Sequence, residues 1–359
     1  MTKKSYVEKI EMNNKKYSKI VVLFILAISL NIQDTQAVEQ VDLKLMLRPN
    51  QKYDMRLTSK INSLQTFQGQ VSKSIEEEIV EVVFDVQKVN SQGDILMKVT
   101  FGKLQNKKKT PTGTMYFDST KPDVNPNNRL APIYSALFGQ SFKIKVASNG
   151  NILELQSIDD MFLKMAEKVI AAEDKKMDKK AIQEKNQKYG TREKRKERTK
   201  RLIEFVFREE KIRAMMRAFI QILPSGPLKP GDSWESGIDI EELQGSGISL
   251  KNTLKNYEQD KVIIDAVYKR SLDDKPIKDK SNPKMIFTKI DYKGTAQIDK
   301  SSGWIIRKEV KVSFSAEFRH QGIMTPISVN IIKIIEPVES VTSPKNYISF
   351  IIRNGISVS

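Results

Sequence analysis

Two blocks of period-two alternation, held apart by a block that has none, constrain this chain more than any other feature. The clearest run is Val310, Val312, Phe314, Ala316 and Phe318, interleaved with Lys311, Ser313, Ser315 and Glu317. Such alternation belongs to a strand with one buried and one wet face, which is the habit of antiparallel sheets. The same period runs through Val41–Leu47, through Met55, Leu57, Ser59 and Ile61, and through Ile95, Met97, Val99 and Phe101. It returns at Phe142, Ile144 and Val146. Ile75–Val89 is β-rich, with Glu76, Glu77, Glu78 and Glu81 read as its wet face, and Ile323–Ile335 pairs with 310–318 across Gln321-Gly322. The stretch from Asn106 to Gln140, with Pro111, Pro122, Pro126 and Pro132, reads as a long irregular loop with a short helix near Ile133–Phe138.

From Ile158 to Leu223 the period changes. Ser157 reads as a helix cap, followed by Asp159 and Asp160 in the first turn. Met161, Phe162, Met165, Val169 and Ile170 then fall at helical spacing, as do Ile203, Val206, Ile212, Met216, Phe219 and Ile220 further on. Between them, 174–201 carries 13 Lys/Arg against five Asp/Glu and almost nothing apolar. A helix there has no face to bury, so the segment reads as a solvated helix or a disordered linker. Pro224-Ser225-Gly226-Pro227 ends the helical block.

The two β blocks read as copies. Leu47-Arg48-Pro49-Asn50-Gln51-Lys52-Tyr53 matches Leu228-Lys229-Pro230-Gly231-Asp232-Ser233-Trp234. Pro fixes φ and the next residue accepts the turn, so each motif delivers an aromatic into the strand that follows. Later in each block, Ser148-Asn149-Gly150-Asn151-Ile152 matches Ser301-Ser302-Gly303-Trp304-Ile305. On these motifs, the segment from Ile158 and Leu223-Pro224, the chain over about residues 41 to 338 resembles an uncharacterised bacterial extracytoplasmic family, a domain of unknown function. The resemblance concerns turns and packing and implies no functional residues. The layout is also similar, in architecture alone, to periplasmic lipoprotein-carrier half-barrels. The expected fold is a β-rich α+β protein, with two related antiparallel units of half-barrel-like sheet flanking a helical insert.

The first 37 residues look like a secretory leader. Lys3, Lys4, Lys9, Lys15, Lys16 and Lys19 precede an apolar run from Ile20 to Leu30, and Thr35-Gln36-Ala37 forms a small-x-small site. An extracytoplasmic location follows, periplasmic or secreted, with an uncleaved N-terminal anchor as the alternative. The expected organisation is a leader over 1–37, a β unit over 38–157, a helical insert over 158–223, a second β unit over 224–340 and a tail over 341–359.

Composition excludes several chemistries. The chain has no Cys, which removes disulfides, thiol nucleophiles, thiolate metal sites and a lipidated cysteine. Its one histidine, His320, reads as a solvent-facing strand end, and acid–base work needs an orienting partner besides. No Gly-x-Ser-x-Gly, P-loop or dinucleotide glycine pattern occurs, and no cofactor or metal is expected. A carboxylate-dependent hydrolase is the enzyme alternative. Asp159-Asp160, Glu209-Glu210 and Glu241-Glu242 are adjacent in sequence, however, and such neighbours do not face each other.

Two binding readings stand. In the first, the chain is a non-catalytic exported protein that takes a lipid or other apolar ligand between sheet and helices, with Leu163, Met165, Phe205, Met216 and Phe219 as walls. In the second, it is an envelope interaction protein that meets an anionic surface through Lys194, Arg195, Lys196, Arg198, Lys200 and Arg201. Of the net charge of +17, the segment 174–201 supplies +8, so basicity is local. That argues against nucleic acid, as do the compartment and the single aromatic, Tyr189, in the segment.

Overall fold

The computed structural model describes residues 40–67, 69–121, 131–237, 243, 248–258, 260–270, 277–278, 285–320 and 323–338. The leader, the tail and Glu241-Glu242 lie outside the described residues.

The first unit contains β1 (Lys52–Phe67), β2 (Gln70–Val89), β3 (Ile95–Thr110), β4 (Gly113–Asp118), the short helix α1 (Ala131–Leu137), β5 (Ser141–Val146) and β6 (Ile152–Gln156). Four helices follow: α2 (Ile158–Asp174), α3 (Lys179–Tyr189), α4 (Arg192–Val206) and α5 (Glu209–Phe219). The second unit contains β7 (Ser233–Gly237), β8 (Ser249–Tyr257), β9 (Lys261–Arg270), the two-residue β10 (Ile277–Lys278), β11 (Met285–Asp299), β12 (Ile305–His320) and β13 (Ile323–Pro337).

All strands belong to one antiparallel sheet ordered β6-β5-β3-β2-β1-β13-β12-β11-β9-β8-β7, with β4 on β3 and β10 on β11. The order β6-β5-β3-β2-β1 therefore recurs, in the same direction, as β12-β11-β9-β8-β7. The units are not separate sheets. β13 joins them, pairing β12 on one side and β1 on the other over Met55↔Pro337 to Gln65↔Ile327.

Alternation fixes which face is core. Met55 and Leu57 of β1, Val80, Val82, Phe84 and Val86 of β2, and Val310, Val312 and Phe314 of β12 are all buried. Helix α5 lies against this face. Phe219 packs on Phe84 (centroids 5.7 Å apart), Phe84 meets Trp304 edge-on at 5.3 Å, and Trp304 packs on Tyr53 at 4.6 Å.

The duplicated motifs make one interlocked pair of contacts. A Cβ on Gly303 would lie 2.2 Å from Lys44 O, and a Cβ on Gly150 would lie 2.2 Å from Gln221 O. Both glycines also have positive φ, 68° and 85°. Two residues beyond each close carbonyl, an amide completes the contact. Met46 N–H donates to Ser302 O at 2.9 Å, and Leu223 N–H donates to Asn149 O at 2.9 Å. The strap entering each unit thus rests on the turn of the other.

Several expectations change. Residues 42–47 alternate, with Leu43, Leu45 and Leu47 buried, yet they form no ladder. They are the first strap. Residues 106–118 are not a loop, because β3 runs on to Thr110 and returns as β4. Its lysines sit opposite glutamates of β2 (Glu76↔Lys108, Glu77↔Lys107), and such opposite-charge pairs favour continued pairing. The four glutamates are not one wet face either. Glu77 and Glu81 point outward, where Glu81 pairs with Arg56 at 2.8 Å. Glu76 and Glu78 share the parity of Val80, and Glu76 meets Lys108 at 3.1 Å and accepts from Asn106 at 2.6 Å. Ser157 adopts a left-handed conformation (φ 61°, ψ 23°) and makes no side-chain cap, so α2 begins where expected but by a turn.

Candidate functional site

The basic segment is helical and docked. Helices α2 and α4 run antiparallel, with the acids of one facing the bases of the other. Arg195, 4% exposed, grips Asp174 through two bonds of 2.8 and 3.1 Å. Arg192 pairs with Glu167 and approaches Asp174 at 3.6 Å, Lys196 reaches Glu167 at 3.3 Å, and Lys200 reaches Asp159 at 3.7 Å. The charge-assisted bond from Arg195 holds the Asp174 carboxyl below its ordinary range, and Arg192 with Lys196 does the same for Glu167. Of the six cations predicted to meet an anionic surface, Arg195 is therefore interior. Lys196 and Lys200 are engaged by acids, and Arg201 lies 3.5 Å from Glu197. Arg198 donates to Tyr189 O at 3.0 Å, and Lys194 is exposed. The segment buries almost no apolar surface, as its composition says, but its charges have partners one helix away.

The predicted apolar walls do not converge. Met165, Met216 and Phe219 are fully buried core residues, whereas Leu163 and Phe205 are exposed. Phe205 lies under the Arg208 guanidinium, 5.2 Å from the ring centroid. Two exposed apolar residues do not share an interior wall with three that are sealed.

Two depressions stand out among the described residues instead. One is open, about 630 Å³, and lies where α2 begins and α4 gives way to α5. Asp159, Asp160, Glu204, Glu209 and Glu210 surround it, with Arg208. Sequence neighbours say nothing of this gathering. It arises because the chain bends at Phe207-Arg208, between α4 and α5. Three of the acids already have cations: Lys200 bonds Glu204 at 2.6 Å as well as meeting Asp159, and Arg213 bonds Glu209 at 2.8 Å. Among the described residues, no group of three or more His, Cys, Asp or Glu is arranged to hold a metal ion.

The other is a small cavity of about 20 Å³ between the end of α5 and the second unit. Its floor is apolar, from Leu250, Ile264, Ala266 and Tyr292 of the sheet. Its polar side is Arg217, Asn252 and the nearly buried Lys308. Asn252 is fixed by its donor bond to Ser236 Oγ at 2.9 Å, and Trp234 is fixed nearby by Nε1–H donation to Ile222 O at 3.1 Å. Among the described residues, no carboxylate pairs with Arg217. Burial, and then the neighbouring Arg213, push its guanidinium below the ordinary arginine range. A half-buried cation without an acid, over apolar strands, is what an anion-receiving pocket requires. Sequence reasoning could not find it, because residue 217 is one arginine among many until α5 lies on the sheet.

No curated protein matches the chain. Among solved structures, a lipovitellin structure concerned with lipid–protein interactions is similar at 8% identity and a TM-score of 0.43. That match covers 84% of this chain and 26% of the lipovitellin chain. OccK5 (OpdH) of Pseudomonas aeruginosa is similar at 6% identity and TM-score 0.19, over 81% of this chain and 99% of its own. The COG4313 outer membrane channel of Pseudomonas putida F1 gives 6% and 0.18, over 82% and 97%. These scores are too low to carry a functional argument. No helix among the described residues is long and apolar enough to cross a membrane. The chain belongs to DUF6263, a family of unknown function, whose sequence model matches residues 92–305.

Proposed function

We propose that this is an exported, non-catalytic protein that holds an amphipathic anion, an apolar chain with a carboxylate or phosphate head, between the second unit and α5. The observation that carries the reading is Arg217. It is half-buried, has no acid partner among the described residues and lies over the apolar floor of Leu250, Ile264 and Tyr292. Head-group recognition falls to its guanidinium, with Asn252 and Lys308 alongside. The non-catalytic part rests on composition: one histidine and no cysteine. Export rests on the leader pattern.

A cavity of about 20 Å³ holds about one water. The ligand's chain therefore enters only as α5 and the 220–223 strap move off the sheet, so binding is coupled to that displacement. The test has two arms. Native mass spectrometry of protein purified from its own envelope should show a co-purifying lipid. A dansylated fatty acid should bind the emptied protein, with Arg217→Glu abolishing binding and Arg217→Lys retaining much of it. Equal probe affinity in wild type and Arg217→Glu would overturn the reading.

A further inference from the structure

Among the described residues, the β1–β2 hairpin extends beyond its neighbour β3 at one end of the sheet. β1 and β2 stay paired to Phe67↔Gln70, whereas β3 leaves β2 at Ile75↔Lys109. The β1–β2 hairpin therefore overhangs by five residues, about 17 Å at ~3.4 Å per residue. The β12–β13 hairpin, paired to His320↔Ile323, reaches the same level, because β1 and β13 still pair at Gln65↔Ile327. The two hairpins stand side by side as a fin, which β11 flanks on the β12 side as far as Met285↔Phe318.

Register places Phe67 and Ile323 on the face that is core lower down, and Leu64, Val71 and Met324 on the opposite face. These five are between 40% and 62% exposed. An antiparallel strand in water normally has one polar face. Here each face carries exposed apolar side chains at the tip, set among uncharged polar ones such as Gln65, Gln70 and Ser72, which suits a medium that surrounds it rather than a partner that covers one side. The charge pattern agrees. No Asp or Glu occurs over 62–75 or 318–330, where the full charges are Lys73 and Arg319, both exposed.

We infer that the fin is an anchor for anionic lipid interfaces. Leu64, Phe67, Val71, Ile323 and Met324 enter the head-group and acyl boundary, while Lys73 and Arg319 stay level with the phosphates. So few side chains give reversible, salt-sensitive attachment. This goes beyond the Arg217 pocket and does not depend on it, so Arg217→Glu should leave attachment unchanged.

The test is co-sedimentation of the full chain with phosphatidylcholine vesicles, with and without phosphatidylglycerol. Partition onto the anionic vesicles is expected, and Phe67→Ser combined with Val71→Ser should lower it about tenfold or more. Lys73→Glu with Arg319→Glu should remove the preference for anionic vesicles. A Phe67→Trp variant guards against misfolded mutants: its emission should shift to the blue with anionic vesicles and be quenched by brominated acyl chains. Absent partition, partition indifferent to the fin variants, or a Phe67→Trp emission unmoved by lipid would overturn the inference. So would fin variants that change only self-association or capture of another protein.

Discussion

The two β units follow one plan and part company at their last strand. In the second unit that strand, β12, has 16 residues, turns back as β13 and hands the sheet on to β1. In the first unit it is β6, with only five residues, and the chain leaves the sheet at Ser157 to build the helices. The outer rim of β6 is then met from a helix, where Arg213 Nη1–H donates to Ile152 O at 3.1 Å. The same place in the plan is thus filled by backbone in one copy and by a side chain in the other. A repeated topology fixes where an edge occurs, and the local chain decides how that edge is satisfied.

The comparison breaks most sharply at the two glycines. Gly150→Ala and Gly303→Ala should each cost about 4 kcal/mol or more, since both put a Cβ into a backbone carbonyl at positive φ. Urea unfolding that finds one severe and the other mild would show that the interlocked straps are not equivalent. Next comes Arg195→Met, which takes both short bonds from Asp174 and leaves it Arg192 at 3.6 Å; it should cost about 2–3 kcal/mol. Arg195→Met with Asp174→Leu should recover most of that loss.

Acid should loosen the pairing of α2 with α4. Asp174 and Glu167 have folded pKa values below their unfolded ones. Their stabilisation is therefore complete above the ordinary carboxylate range near about pH 4 and disappears as pH falls through the depressed folded values. Circular dichroism between neutral and strongly acid pH should show helical signal lost over that range, and Arg195→Met should weaken that pH dependence. The paired motif aromatics give the smaller effects. Trp234→Phe forfeits the bond to Ile222 O and should cost about 1–2 kcal/mol by thermal unfolding. Tyr53→Phe loses only an exposed bond to Gln51 and should change stability by about 0.5 kcal/mol at most. A larger effect at Tyr53 than at Trp234 would invert the assignment of their roles.

Much of this fold could be read from spacing. The alternation of Val310 to Phe318, the helix from Ile158 and the paired Ser-x-Gly-x-Ile turns all report forces that act within a few residues. What spacing could not supply was cross-strand company. Lys107–Lys109 reads as a loop until Glu76 and Glu77 stand opposite. The run at 174–201 reads as solvated until the acids of α2 face it. The Val41–Leu47 alternation was a true sign of burial but not of a ladder, because a strap between two turns buries every second side chain just as a strand does. The site was less legible than the fold. Met165, Met216 and Phe219 read as walls of a cavity and lie in the buried core, since a helical stripe looks the same whether it fills a core or lines a void. Arg217 had no sequence signature at all.

A row of strands repeated in one direction has unlike ends, and the end that closes one copy has the same polarity as the end that begins its joining to the next. Such an array carries no geometric instruction to stop after two copies. Termination has to come from outside the pattern, and one guanidinium on Ile152 supplies it at a single rim. At the β6 rim, among the described residues, that cover comes from the helical segment between the units and not from the units themselves.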